Sequence, residues 1–189
     1  MIRLYFSTKG KAPTPQVARL AVQRAREIGC KHIVIASNTG YTAEQFLAAI
    51  EPENDLKLVV VTHHVGFREP GGDEMDGAVR SRLAEAGCDV LTTTHLFGNI
   101  ERAITNKFGG LYPGGIVSAT LRCFGQGTKV CFEILSMAAD AGLIPMDEEI
   151  VVAGGSGRGA DTALVMQPAH AKSFFDTRVH EVICKPRAV

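Results

Sequence analysis

Hydroxyl, glycine and cationic side chains recur along this chain, each time directly after a run of apolar, often β-branched residues. Ser7-Thr8-Lys9 follows the first run, Ser37-Asn38-Thr39-Gly40-Tyr41-Thr42 the second, Thr62-His63-His64 the third and Thr92-Thr93-Thr94-His95 the fourth. Gly154-Gly155-Ser156-Gly157-Arg158-Gly159 follows a late one. The chemistry this composition suits is anion binding. Backbone N–H groups in glycine turns and at helix amino ends point toward an anion, and Ser or Thr hydroxyls add donors. Gly40 lets the backbone approach closely, Thr39 and Thr42 can donate, the helix beginning near Thr42 offers its positive end, and Arg158 could act as a planar clamp. A plainer account competes at the first loop, where Thr42 caps its helix and Gly40 makes the turn. The second loop resists that account. So many glycines in one short segment lose much chain entropy on folding unless the backbone must pass close to something.

Other chemistries find less support. Neither loop has the G-x-G-x-x-G spacing of dinucleotide binding or the G-x-x-x-x-G-K-[ST] spacing of a nucleotide-hydrolysing loop. Gly125 to Lys129, at a helix start, could meet an anion, although it reads first as a turn between helices. His63 and His64 are adjacent at a strand end, so their side chains diverge and no shared metal ion is expected. One of them facing a ligand fits better, and His95 holds an equivalent position, whereas His32, His170 and His180 read as surface or structural residues. Phe67, Phe97 and Phe124 could wall an aromatic ligand, although each reads first as core. No Ser-His-Asp or Cys-His set assembles from spacing. The five cysteines (Cys30, Cys88, Cys123, Cys131, Cys184) contain no C-x-x-C pair and read as small core residues.

The elements that must position these residues follow from periodicity. Arg3 to Phe6 is a strand, and Thr14-Pro15 opens a helix with Val17, Leu20, Ala21, Ala25 and Ile28 on one face, stopped by Gly29. His32 to Ala36 is the next strand, followed by a helix that a capping box at Thr42-Ala43-Glu44-Gln45 would start. Leu58 to Thr62 is apolar throughout, as in a strand buried on both faces, and Asp73 opens a third helix closed by Gly87. A fourth strand spans Asp89 to Thr94, and a helix containing Ile100, Ala103, Ile104 and Phe108 ends at Gly109. Two helical stretches follow, near Val117 to Phe124 and Thr128 to Ala141. Strands return at Glu149 to Ala153, Thr162 to Met166 and Glu181 to Lys185, around a short helical piece at His170 to Phe175. Alternating strands and helices imply right-handed crossovers and a mainly parallel sheet with helices on both faces. The carboxyl ends of its strands then share one edge, where ligands bind in such sheets.

The chain of 189 residues suits one α/β domain, 1–189, and its 46% hydrophobic share supports an ordinary core built without Trp. Lys and Arg number 20, as do Asp and Glu, so no overall field draws a polyanion, and no nucleic-acid partner is expected. The apolar start is too short for a signal peptide or a membrane span, so no membrane association and a cytoplasmic address are expected. A helix face left strongly apolar after folding would indicate a homo-oligomer.

Two segments resemble a known family. His32-Ile33-Val34-Ile35-Ala36-Ser37-Asn38-Thr39-Gly40-Tyr41-Thr42-Ala43 resembles the strand, phosphate loop and helix start of the C-terminal α/β domain of pyruvate kinase, roughly T-K-S-G-R-S-A there. Glu149-Ile150-Val151-Val152-Ala153 with the Gly154 to Gly159 loop resembles that domain's last strand and glycine-rich ligand loop, and Phe132 to Leu143 fits the helix before it. Nearly the whole chain is similar to small stand-alone archaeal and bacterial members, whereas residues 66–127 depart from pyruvate kinase itself. The resemblance implies a three-layer α/β/α fold whose mostly parallel, mixed sheet has a long final strand running antiparallel. It also implies flavin mononucleotide (FMN) as ligand. The phosphate would meet Ser37, Asn38, Thr39, Gly40 and Thr42, with Gly154, Gly155, Ser156, Gly157, Arg158 and Gly159 closing over the other side. His63, Gly66 and His95 would be candidates for the ring and ribityl chain. Asn38 and Tyr41 stand where the family's loop carries basic residues, which argues against a doubly phosphorylated sugar. No pyruvate kinase activity is expected, because that enzyme's catalytic machinery resides in a separate barrel domain.

Three functions follow as expectations. One is a flavoprotein, with redox chemistry supplied by the cofactor. Another is a non-catalytic module that senses a sugar phosphate or nucleotide. The third, a hydrolase or transferase using His63, His64 or His95 as acid or base, has the thinnest basis.

Overall fold

The computed structural model describes residues 4–51 and 53–187; Arg3, expected to begin the first strand, lies outside them. The order is β1 (Leu4–Phe6), α1 (Thr14–Ile28), β2 (His32–Ala36), α2 (Tyr41–Ile50), β3 (Lys57–Val61), α3 (Gly77–Glu85) and β4 (Asp89–Leu91). Three helices follow without a strand: α4 (Ile100–Phe108), α5 (Pro113–Arg122) and α6 (Gln126–Asp140). Then come β5 (Ile150–Gly154), β6 (Thr162–Gln167), a 3-10 helix (Ala171–Asp176) and β7 (Arg178–Pro186).

All seven strands join one sheet in the order β1-β7-β6-β5-β2-β3-β4. Alternate side chains go to opposite faces, which divides the apolar residues into two cores. Ile33, Ile35, Leu58, Val60, Val151 and Ala153 pack with Val17, Ala21, Phe46, Ile50 and Leu83 of α1, α2 and α3. Val34, Val59, Val61, Ile150 and Val152 pack on the other side against Cys131, Ile134, Leu135 and Ala138 of α6. The result is the three-layer α/β/α architecture expected from the sequence.

One expectation about the sheet is corrected. The reversed strand is β6, which is antiparallel to both β5 and β7; the final strand β7 runs with the majority and pairs in parallel with β1. The cause is linker length. Residues 155–161 are too few for a parallel crossover, which needs about a dozen or more, so β5 and β6 form a hairpin.

Local chemistry moved several boundaries. Thr42 does not cap α2: Gly40, at φ 92°, occupies the N-cap, Thr42 is buried inside the first turn, and the Ser37 hydroxyl accepts the Ala43 N–H at 3.3 Å. Asp73 does not start α3, because its carboxylate accepts the Met75 N–H in a local turn, and Asp76 instead accepts from Ala78. The fourth strand stops at Leu91, short of Thr94, and α5 begins at Pro113. Four cysteines are buried as expected, but Cys123 is exposed. Burial pushes the Cys184 thiol up to about 12 and the Cys131 thiol well above its ordinary value, so neither is a thiolate at neutral pH.

Candidate functional site

A cleft of about 1140 Å³ opens at the carboxyl edge of β2, β3 and β5. Ser37, Asn38, Thr39, Tyr41 and Thr42 line it from one loop, and Gly155, Gly157, Arg158 and Gly159 from the other, so the two glycine- and hydroxyl-bearing turns share one cavity. His63 and His95 also line it, as do His64, Phe67 and Phe97. Of the remaining sequence candidates, Gly40 sits behind the wall at the helix cap, where an added Cβ would strike the Val79 side chain at 2.3 Å. Gly66 lies in the loop after β3 and donates its N–H to Gly72. Gly154 and Ser156 are outside the lining. A second hollow of about 220 Å³, beside Tyr5 and residues 179–182, holds neither loop.

Several glycines of the late loop are explained by packing. A Cβ on Gly154 would meet Val130 of α6 at 2.9 Å, one on Gly155 would reach the Gly159 carbonyl at 2.3 Å, and one on Gly159 would fall 2.4 Å from Thr14 Oγ1. Gly157 differs: its φ is 82° and nothing lies within 4 Å of its missing side chain. Its backbone conformation alone calls for glycine, and with no side chain in the way its backbone is open to the cleft.

The loop is anchored by Asp161, which is fully buried. Its Oδ2 accepts the N–H groups of Gly10 (2.8 Å) and Ser156 (3.0 Å), and its Oδ1 accepts the Thr162 hydroxyl (2.8 Å). The Thr14 hydroxyl adds a bond from the Ala160 N–H at 3.0 Å. These contacts tie the glycine loop to the loop after β1, which carries Lys11 into the cleft. There the Lys11 ammonium sits 4.1 Å from the centre of the Tyr41 ring. A cation absent from the Ser37–Thr42 turn is thus supplied from another strand end.

His63 forms a fixed network. Its backbone N–H donates to Asn38 Oδ1 at 3.0 Å, which turns Asn38 Nδ2 toward His63 Nε2, also at 3.0 Å. Since Nδ2 only donates, Nε2 holds the lone pair and Nδ1 the hydrogen, directed to Glu74. Both ring nitrogens are thereby occupied, and Phe67 stacks on the ring with centroids 3.7 Å apart. Burial pushes the Glu74 carboxyl up, but His63 and the Arg68 guanidinium outweigh it and hold the group below its ordinary range. His63 serves as a positioned wall more readily than as a free base.

A second network closes the other end. Glu133 is buried; it receives Lys129 Nζ at 2.5 Å and the Phe97 N–H at 3.0 Å, and lies 3.9 Å from His95 Nδ1. Burial pushes both the Lys129 ammonium and the His95 imidazole down, against the opposing pull of Glu133. His95 Nε2 faces the Thr62 carbonyl at 3.2 Å.

Six cationic side chains line the cleft (Lys11, Arg68, Arg102, Arg122, Lys129 and Arg158) against two carboxylates, Glu74 and Glu133. A chain with balanced formal charges therefore concentrates positive charge at this edge, where it attracts anionic ligands. Sequence reasoning missed Lys11, Glu74, Arg102, Arg122, Glu133 and Asp161 as parts of this edge, and gave Lys129 only as the end of a turn that could meet an anion. A further signal was the pair Lys129 and Glu133, four residues apart on the face of a helix that Val130 and Ile134 mark as inward. Among the described residues no three His, Cys, Asp or Glu side chains cluster as metal ligands, and no helix is long and apolar enough to cross a membrane.

Residues 15–166 match the family described as pyruvate kinase, alpha/beta domain. Among solved structures, a pyruvate kinase from Cryptosporidium parvum is 16% identical, covering 86% of this chain and 24% of its own, at a TM-score of 0.45. The pyruvate kinase of the same organism in complex with ADP is 17% identical, covering 84% and 24%, at a TM-score of 0.43. This chain spans about a quarter of the length of these enzymes.

Proposed function

Because the chain belongs to the pyruvate kinase alpha/beta domain family, we propose that its strand-end cleft binds a phosphorylated small molecule, foremost FMN. The observation that carries this reading is the convergence of the Ser37–Thr42 turn, Lys11 and the open backbone of Gly157 on one cavity with a surplus of cations. The phosphate would lie at the amino end of α2, whose first N–H groups have no partner within the helix, with the Thr39 hydroxyl and Lys11 beside it. The flavin ring would lie toward Phe67, His95 and Phe97. The donor set fits, since ligand pockets pair apolar walls with a few placed polar groups, and the cleft of about 1140 Å³ is somewhat larger than the roughly 300–1,000 Å³ common for such pockets. When bound, the flavin supplies hydride and electron transfer. The chain's own residues orient the phosphate, wall the ring, and hold a proton on Lys129 or His95 within the buried network around Glu133.

The test is a titration of purified, ligand-stripped protein with FMN and with riboflavin, followed by flavin fluorescence. FMN should bind at least about tenfold more tightly, the worth of one or more charge-assisted hydrogen bonds. Equal affinities, or none for either, would end the reading. The surplus of cations over one phosphate supports a second reading, a module that senses a nucleotide or sugar phosphate without turnover. A change in assembly state on adding such a ligand, with no flavin binding, would select it.

A further inference from the structure

The far end of the cleft, where α4, α5 and α6 meet, carries a charge arrangement that a phosphate at the Ser37–Thr42 turn leaves unused. Arg122 is held by two neutral acceptors, with its Nη1 donating to Ser118 Oγ at 2.7 Å and its Nε to Gln126 Oε1 at 2.8 Å. Such partners fix the plane of a guanidinium without offsetting its charge. Arg102 of α4 lines the same wall and, among the described residues, has no carboxylate within ion-pair distance. Lys129 completes the group, with Glu133 as its one carboxylate, and Glu133 is also engaged by the Phe97 N–H. Burial does most to push the Lys129 ammonium down, and Arg122 and Arg102, lining the same cleft, each add to it. Cations that outnumber the carboxylates lining a cleft give it a positive potential, which an incoming anion offsets.

We propose that Arg102, Arg122 and Lys129 form a second subsite, separate from the phosphate turn, that takes a compact oxyanion, the carboxylate or phosphate of a second group or second molecule. A guanidinium fixed in one plane offers paired N–H donors to two oxygens of such a group, and the adjacent lysine adds a point charge. The amino end of α6 contributes potential of the same sign. The subsite rests on the cleft being the ligand site and does not depend on the ligand being a flavin.

Calorimetric titrations with succinate and with inorganic phosphate, on the wild type and on Arg122→Gln, Arg102→Gln and Thr39→Ala, test the assignment. The wild type should bind at least one probe below about 10 mM. Each arginine variant should weaken the binding of a probe held here about tenfold or more, in keeping with the loss of a charge-assisted bond, whereas Thr39→Ala should weaken only phosphate held at its own turn. Whichever probe loses affinity in the arginine variants identifies the chemistry of the subsite as carboxylate or phosphate. Both arginines are exposed, and unchanged thermal unfolding of the variants establishes that folding is intact. No binding of either probe, retained affinity in both arginine variants, or a loss confined to Thr39→Ala would overturn the subsite. Succinate binding without flavin binding would leave this inference standing and remove the flavin.

Discussion

Replacing Glu133 by Gln tests the buried network most directly. Gln keeps an acceptor for the Phe97 N–H but deletes the charge 2.5 Å from Lys129, whose residue is 7% exposed. Removing one partner of a buried ion pair costs about 3–5 kcal/mol, because the other charge stays desolvated and unpaired. For a domain of this size that corresponds to a fall in Tm of about 6–20 °C. The pH dependence has a definite sign. The Lys129 value in the folded state already lies below the ordinary 10.5. Between the folded and unfolded values the unfolded chain binds more protons, so stability rises with pH in that window. Without Glu133 the folded value drops further and the window widens downward, so the deficit against wild type shrinks as pH climbs toward 10.5. The chain has no Trp, so urea unfolding is followed by far-UV circular dichroism at several pH values. A double variant, Glu133→Gln with Lys129→Met, should recover most of the loss. A loss under about 1 kcal/mol without pH dependence, or a double variant no stabler than the single one, would refute the account of Lys129 as a charge held by Glu133.

Three further outcomes are expected. Thr39→Ala should weaken FMN by about five- to tenfold and leave urea stability within about 0.5 kcal/mol, since the residue is exposed and contributes only a hydroxyl. Gly159→Ala should cost more than Gly29→Ala, measured by urea unfolding: both have positive φ, at 73° and 72°, worth about 1–2 kcal/mol, but only Gly159 adds a clash, with Thr14 and Lys11. Asp161→Ala strands the Gly10 and Ser156 N–H groups and should destabilise by roughly 2–5 kcal/mol, read from the same denaturation curves, with faster hydrogen exchange at both amides.

The sequence carried the layers of this fold because burial imposes period. Ile33 and Ile35 against Val34, or Ile150 and Val152 against Val151 and Ala153, alternate between two cores, and α1 ends where Gly29 takes a left-handed conformation. It misled where one side chain had two local uses, as with Thr42 and Asp73, each of a type that caps helices but neither capping one here. The reversal of β6 was readable from the short linkers on either side of it and was obscured by treating the glycine loop as a ligand loop alone. Much of the cleft was not readable, because its charges come from separate elements. Lys11, Arg102, Arg122 and Glu133 are distant in the chain, and only the sheet order and the approach of α4 and α5 bring them to one edge.

The edge strand β1 has a kinetic consequence. Among the described residues its ladder is with β7 alone, joining Leu4 to Cys184 and Phe6 to Pro186. A ribosome releases the first of these segments long before the second exists, so β1 waits unpaired while the central strands assemble. Contacts of such sequence separation form slowly. The Lys11 loop directly follows this strand. Binding competence should therefore arrive as a late event in refolding, after most of the helical signal has returned.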